Sequence, residues 1–497
     1  MYYDNVENGV RRFIVSFVII VLLCGLTWFF IHKKIQKQPV PPVYEVKIDV
    51  EKKVHRLIVF VHGTFGSSLS LLDAPSVIRD DLKGSVYAKT ARSMRKDQFF
   101  FSTQPLMGRG LLAFQPSFER KKSGEFFAAY PIAKSFDLMC DPTIKKNESK
   151  HYYAFGWSGL LSQEKRRREA VRFLNELSEE VARFKAKGID PKITLLCHSH
   201  GGNVALNMGL IVAFLREENL FEFSFLEQLK IKEKIIKMFE SLPEKKDRAV
   251  SHGQKKWDYK PSNPSWNIDE LVMLGSPVQP ETDFGILSSF FESIFHCYSL
   301  ADKVQATDWV STSRYYSEQR FDHLEKALAE YSRTLPSSFK QLRIMIDREI
   351  SDEGKFIFKV DKNKKRTLTS LLIGSIYEEI DDVDPTHKEL WFLVSPKKGD
   401  KSLLKPLPVV VCIPLFKDLF DVGVVGFDFD LNISHKAESF CLDFSEHNQG
   451  TVIGRKNISW NLFENIKKQA SSWETDAEFL SREESLIYSH LRAGREC

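Results

Sequence analysis

A serine stands where a buried strand is predicted to turn abruptly into a helix. Residues 192–197 are mostly apolar and strand-like, the turn 198–202 follows, and 203–212 has the apolar character of a buried helix. Such a turn lifts a hydroxyl clear of the sheet, and the N-terminus of the helix places backbone N–H groups and a positive dipole end beside it. This geometry makes Ser199 a candidate nucleophile.

An acyl-transfer nucleophile needs hydrogen-bond donors where negative charge develops on the carbonyl oxygen. One predicted donor is the backbone N–H of His200, directly after the nucleophile. The second is that of Thr64, which follows a His-Gly pair at the end of the apolar strand 56–61. The alternative for that pair is a simple strand-ending turn. His198 and His200 lie too close to Ser199 on a sharp turn to serve as its base, so both are predicted to be neutral and structural.

These two motifs, each behind a buried strand, resemble the α/β-hydrolase superfamily and its lipase-like branch. Residues 197–201 match the G-x-S-x-G nucleophile elbow, with Cys197 in place of the first glycine, and His-Ser-His-Gly-Gly is similar to the run in secreted bacterial triacylglycerol lipases. The resemblance implies an α/β fold, a mostly parallel sheet with helices on both faces. It also implies the chain order serine, acid, histidine, with no metal or organic cofactor.

The resemblance implies that the acid and the histidine each lie on a loop after a successive strand. Residues 270–274 and 294–299 are the next two predicted strands, and the second leads to Asp302, followed by Lys-Val as in the family. Asp302 is the predicted acid, and its alternative role is that of a turn or helix-capping aspartate. Asp283 is the second choice because it follows the preceding strand.

The base is the least determined member of the triad. His387 is preferred because it lies in a proline-containing loop that opens onto an apolar run. His435, after an alternating strand, is the alternative base, and His447 is a third candidate. His323 falls in a helical pattern soon after the acid and is predicted to be structural. Primary sequence leaves the choice among the first three open.

The N-terminal part of the chain contains a predicted transmembrane anchor. Residues 13–31 are uncharged over nineteen positions, which corresponds to ~28 Å of helix, close to the thickness of the bilayer hydrocarbon. Residues 1–12 form a tail and 32–54 a linker. A cleaved signal peptide and a buried core helix are the alternatives. Both flanks are basic, the C-terminal one slightly more so, which weakly favours a cytoplasmic main body.

The composition of the remaining residues indicates one large domain and a C-terminal extension. An α/β-hydrolase domain is predicted over 55–402, with insertions at 68–149 and 211–267, and a C-terminal extension over 403–497. The second insertion contains a basic amphipathic helix, predicted to be either a lid or membrane-facing element or an ordinary surface helix. The extension, with a strand near 409–413, is either the last part of the sheet or a small appended domain.

Charge and cysteine content exclude several classes of protein. A net charge of +5 over 497 residues is too mild for a nucleic-acid partner. Seven cysteines without a C-x-x-C spacing support neither a disulfide scaffold nor a zinc finger. The basic run 165–168 begins a helix and is predicted to be a solvated face rather than a phosphate-binding patch.

Together these patterns predict a membrane-anchored serine hydrolase that cleaves carboxylic esters. The anchor, the apolar insertions and 39 phenylalanines favour lipid acyl esters as substrates. The alternatives are an acyltransferase on the same fold and a catalytically silent lipid-binding or scaffold protein; a serine peptidase is less favoured. The sequence makes no prediction of oligomeric state.

Overall fold

The computed structural model describes part of the chain. Apart from isolated gaps, the described residues are 44–63, 110–116, 129–140, 147–157, 163–222, 230–240, 261–302, 318–348, 384–391, 409–416 and 426–466. All statements of structure below refer to these residues.

Within this part of the chain ten strands form a single sheet. The strands are β1 (Val54–Val61), β2 (Gly110–Phe114), β3 (Glu148–Gly156), β4 (Lys192–His198), β5 (Glu270–Leu274), β6 (Ile294–Tyr298), β7 (Phe339–Arg348), β8 (Asp428–Lys436), β9 (Ser439–Glu446) and β10 (Val452–Ile458). Their order across the sheet is β10-β9-β8-β7-β6-β5-β4-β1-β3-β2.

The seven central strands, β3 to β8 in this order, are parallel to one another. The outer strands β2, β9 and β10 pair in the antiparallel sense. Because the central strands are parallel, their carboxyl ends meet at one edge of the sheet, and loops from different parts of the chain converge there. The predicted mostly parallel α/β sheet is confirmed.

Helices cover both faces of the sheet. They are α1 (Ala129–Met139), α2 (Gln163–Lys185), α3 (His200–Leu215), α4 (Ile231–Glu240), α5 (Asp322–Ala329) and the single turn α6 (Val409–Cys412), with 3-10 turns at Asn219–Glu222, Asp283–Leu287 and Ile413–Leu415. In β1, Leu57 and Val59 point into the apolar layer shared with α2, α3 and α4, whereas Ile58 and Phe60 point into the layer shared with α1 and α6. This alternation is the two-residue period of a strand buried on both faces.

Two segments differ from the sequence prediction. Residues 409–413 were expected to form a strand, but Val409–Cys412 is a helical turn, fully buried against α1. A short run of buried β-branched residues is compatible with either a strand or a helical turn, so the packing around it determines which one forms. In addition, the predicted insertion 68–149 contains β2, which pairs with β3 and lengthens the sheet.

The predicted anchor at 13–31 lies outside the described residues, and no described helix has the length and apolar character needed to cross a bilayer. Of the amphipathic segment in the second insertion, the structure describes α4. Its apolar side chains Ile231, Ile235 and Met238 are buried in the layer shared with α2 and α3. This packing is what the surface-helix alternative predicted.

Candidate active site

Ser199 occupies the junction between β4 and α3 with an unusual backbone conformation. Its φ of 53° and ψ of −131° lie where residues other than glycine are rarely found. The conformation is held by the strand beside it, because the N–H of Ser199 donates to the carbonyl of Leu274 at 2.9 Å. Strained residues of this kind cluster at functional sites, where the surrounding structure maintains them.

The loop after β1 lies directly against this serine. A Cβ added to Gly63 would lie 2.7 Å from the Cβ of Ser199. His62 Nδ1 donates to the carbonyl of Gly63 at 2.6 Å, and buried Trp157 donates from Nε1 to the carbonyl of His62, also at 2.6 Å. The loop is thus fixed beside Ser199. Thr64, the predicted oxyanion donor, is the next residue along the chain and lies outside the described residues.

Asp302 and His387, which are 85 positions apart in the sequence, form a hydrogen bond. His387 Nδ1 lies 2.7 Å from Asp302 Oδ2, and the Asp302 side chain is fully buried just beyond β6. Since an ionised carboxylate only accepts hydrogen bonds, Nδ1 carries the proton. With Nδ1 protonated, Nε2 is the basic atom of the ring whenever the imidazole is neutral, which is the arrangement that a general base requires.

This pair lies against His198, the residue that precedes Ser199. The rings of His198 and His387 have their centroids 4.5 Å apart, and His198 Nε2 donates to the backbone carbonyl of His387 at 3.2 Å. Burial first, and the neighbouring His387 second, hold the pKa of His198 well below its ordinary value. His198 is therefore neutral and structural, as predicted, and its structural role is to hold the loop that carries His387.

Asp302 and His387 both lie close to Gly275, at the end of β5. It follows Leu274, the residue that binds the Ser199 N–H, and has a φ of +59°. A Cβ added there would lie 2.7 Å from Asp302 Oδ2 and 3.0 Å from His387 Nδ1. Any larger residue would displace the hydrogen-bonded pair.

Two further contacts fasten the His387 loop to the sheet. Arg343 of β7 donates to both carboxylate oxygens of Asp384, at 3.0 and 3.3 Å. The hydroxyl of Ser299, just after β6, donates to the carbonyl of Pro385 at 2.5 Å. The position of His387 is consequently set by strands β4, β6 and β7 together.

The other candidate histidines lie elsewhere. His435 is within β8, paired with Arg348 of β7; β8 is four strands from β4, or roughly 19 Å at the usual strand spacing. His447 follows β9, and its Nδ1 lies 2.7 Å from Asp430 Oδ1 while its Nε2 accepts from Arg320 at 2.9 Å. Of the three candidate bases, His387 is the one that the structure brings beside the Ser199 turn.

Asp283, the second candidate acid, belongs to another histidine pair. His323 Nε2 lies 2.5 Å from Asp283 Oδ2. Burial alone lowers the pKa of His323, but Asp283 and Glu318 outweigh it and the pKa is raised. The segment that carries Asp283 packs against Leu206 of α3 through Gly285, about two helical turns beyond Ser199. The structural role predicted for His323 agrees with this arrangement.

The basic run at the start of α2 is not the solvated face that was predicted. Arg166 is fully buried and Arg167 is 6% exposed. The guanidinium of Arg166 donates to His200 Nδ1 at 2.6 Å and to Gln279 Oε1 at 3.2 Å. The sequence does contain a pattern that predicts this burial. Arg166 lies four residues before Ala170, which is buried, so both residues lie on the buried face of the helix.

The described residues contain no group of three or more histidine, cysteine, aspartate or glutamate side chains arranged to hold a metal ion. The expectation that no cofactor is needed stays a prediction. Comparisons with protein-family models, curated proteins and solved structures found no match for this chain.

Proposed function

We propose that this protein is a serine hydrolase that cleaves carboxylic esters by way of an acyl-enzyme. The observation that carries the proposal is the Asp302–His387 hydrogen bond in contact with the strained turn of Ser199. A buried carboxylate, an imidazole oriented by it and a serine at a strand–helix corner are the parts that nucleophilic acyl transfer requires.

In the proposed mechanism, the Ser199 hydroxyl oxygen attacks the ester carbonyl carbon while His387 Nε2 takes its proton. Asp302 stabilises the imidazolium that forms. The tetrahedral intermediate collapses, and the alcohol leaves with the proton returned by His387. Water repeats the sequence on the acyl-enzyme and releases the carboxylic acid. The backbone N–H groups of His200 and Thr64 hold the oxyanion, aided by the positive end of α3.

The proposed substrates are esters of lipid acyl chains. Leu300, two residues before Asp302, is 48% exposed just beyond the carboxyl end of β6. An exposed apolar side chain beside the acid suits a hydrocarbon chain better than a small polar ester. The predicted anchor at 13–31 would keep the enzyme at the surface where such substrates reside.

The test is labelling of the full-length, detergent-solubilised protein by a fluorophosphonate probe, which reacts with activated serines. Wild type should be labelled and should hydrolyse p-nitrophenyl acyl esters, and Ser199→Ala should do neither. His387→Ala should lose activity by orders of magnitude, whereas the matched variant His435→Ala should retain it. An unlabelled wild-type protein would favour the silent lipid-binding alternative, and ester formation with an added alcohol would identify an acyltransferase.

A further inference from the structure

We propose that Trp391 is a positioning residue for the base and acts through His198: the indole holds the His198 ring against His387 and keeps it uncharged, so that His387 receives the proton of Ser199. This inference rests on the proposed function and deepens it. It assigns a role to the end of the His387 segment, which the triad itself does not use.

Three rings are in contact beside the turn of Ser199. The rings of Trp391 and His198 are nearly parallel, at 16°, with their centroids 5.3 Å apart, and the centroids of His198 and His387 are 4.5 Å apart. Phe60 of β1 contacts the indole edge-on at 6.0 Å. Trp391 is fully buried in the apolar layer that also contains α1 and α6. The His198 ring is therefore held by the indole while it contacts the imidazole of His387.

His198 has a basic atom close to Ser199. Its Nε2 donates to the backbone carbonyl of His387, so in the neutral ring Nδ1 is the basic nitrogen. A Cβ added to Gly63 would lie 3.3 Å from this Nδ1 and 2.7 Å from Ser199 Cβ, so both atoms face the same point beside the loop after β1. A proton passed to His198 would be lost to the ring that Asp302 orients.

Burial prevents this competition. It is the largest of the effects that hold the pKa of His198 well below its ordinary value, and the fully buried indole is one of the groups that cover the ring. The imidazoles of His387, His62 and His200 lower the pKa further, because a second positive charge among these rings is repelled. His198 therefore stays neutral, and the proton passes to His387, which is 13% exposed and bound to Asp302.

The test removes the indole in two ways. Trp391→Phe keeps an aromatic face for His198, whereas Trp391→Ala removes it and leaves a cavity that admits water. In full-length protein at pH 8, Trp391→Ala should lower kcat for a p-nitrophenyl acyl ester about tenfold or more with KM little changed, because the base loses its fixed orientation. Trp391→Phe should stay within about threefold of wild type.

The pH dependence of kcat separates this role from one of packing alone. Once water reaches His198, its pKa rises toward the ordinary value of about 6.5. At pH 6 the ring is then largely charged and opposes the imidazolium that His387 forms in the transition state. The ratio of wild-type to Trp391→Ala kcat should therefore grow about threefold or more between pH 8 and pH 6, as repulsion between like charges at this distance in water gives. A loss caused by packing alone is the same at both pH values.

Phe290→Leu is the matched control. Phe290 is equally buried but lies just before β6, at the opposite edge of the sheet, where its ring contacts Trp266 and Phe291. It should lower thermal stability and leave kcat near the wild-type value at pH 8 and at pH 6. Equal losses in Trp391→Ala and Trp391→Phe, wild-type kinetics in Trp391→Ala, or a ratio that does not change with pH would overturn the inference, while Ser199-dependent fluorophosphonate labelling upholds the proposed function. A wild type without that labelling overturns both.

A second measurement applies even where Trp391→Ala fails to fold. In NMR of wild-type protein with ¹³C-labelled histidine, the ring signal of His198 should keep its position from about pH 8 to about pH 5.5, since the ring stays neutral. The signal is assigned by its loss in His198→Gln. A His198 signal that titrates within this range would overturn the inference directly.

Discussion

Replacing Asp302 by asparagine is the sharpest perturbation of the proposed triad. The Asp302 side chain is fully buried and the His387 side chain is 13% exposed, so solvent screens their interaction little. Asparagine preserves the volume of the side chain but removes its charge. It also allows an amide donor to face His387 Nδ1, which favours the imidazole tautomer with its proton on the wrong nitrogen.

The size of the effect follows from the geometry. With Nδ1 and Oδ2 2.7 Å apart, the charge centres of an imidazolium and the carboxylate lie about 4 Å apart, which corresponds to about 4 kcal/mol at an effective dielectric constant of about 20. Loss of this stabilisation in the transition state lowers kcat about a thousandfold, and the wrong tautomer extends the loss toward about 10⁴-fold.

The assay is steady-state hydrolysis of a p-nitrophenyl acyl ester, with fluorophosphonate labelling as the test of serine activation. Asp283→Asn is the control, because it breaks the other buried His–Asp pair. It should lower the melting temperature but change kcat less than about threefold, since it lies outside the proposed triad. If Asp283→Asn caused the large loss and Asp302→Asn did not, the proposed assignment of the acid would be refuted.

Two further predictions address Gly275 and His323. Gly275→Ala should reduce both stability and kcat, because an alanine at this positive φ costs about 1–2 kcal/mol and its Cβ would displace Asp302 and His387. Gly188→Ala is the control: Gly188 also has a positive φ, of +75°, but no atom lies within 4 Å of the added Cβ. This substitution should reduce stability alone. The pKa of His323 is raised in the folded protein, so protonated His323 stabilises the fold. This contribution is complete below the unfolded-state pKa of about 6.5 and is lost as pH rises through the folded-state pKa. In urea unfolding, the stability difference between wild type and His323→Gln should therefore be largest near pH 6 and shrink in alkaline buffer; a difference that grows with pH would contradict this sign.

The parallel part of the fold could be predicted because its strands are short, apolar and bounded by turns. β4 and β6 begin and end within two residues of their expected limits. Val409–Cys412 could not be assigned in the same way, because four buried apolar residues carry no period that separates helix from strand. Burial by α1 decides that segment, and burial is a property of the whole fold.

The candidate site was partly predictable for a similar reason. Asp302 and Ser199 follow identifiable strands, so the topology of a parallel sheet places both at the same edge. The choice among His387, His435 and His447 depends on which loop folds back onto the sheet, and no local pattern encodes that. Arg166 was misassigned because charge suggests exposure, whereas its helical register with Ala170 places it inside.

The anchoring of the Asp384–Trp391 segment has a consequence for His387. Arg343, Ser299 and His198 fix the segment through contacts made at and after Asp384, so residues from three separate strands of the sheet share control of where the imidazole stands.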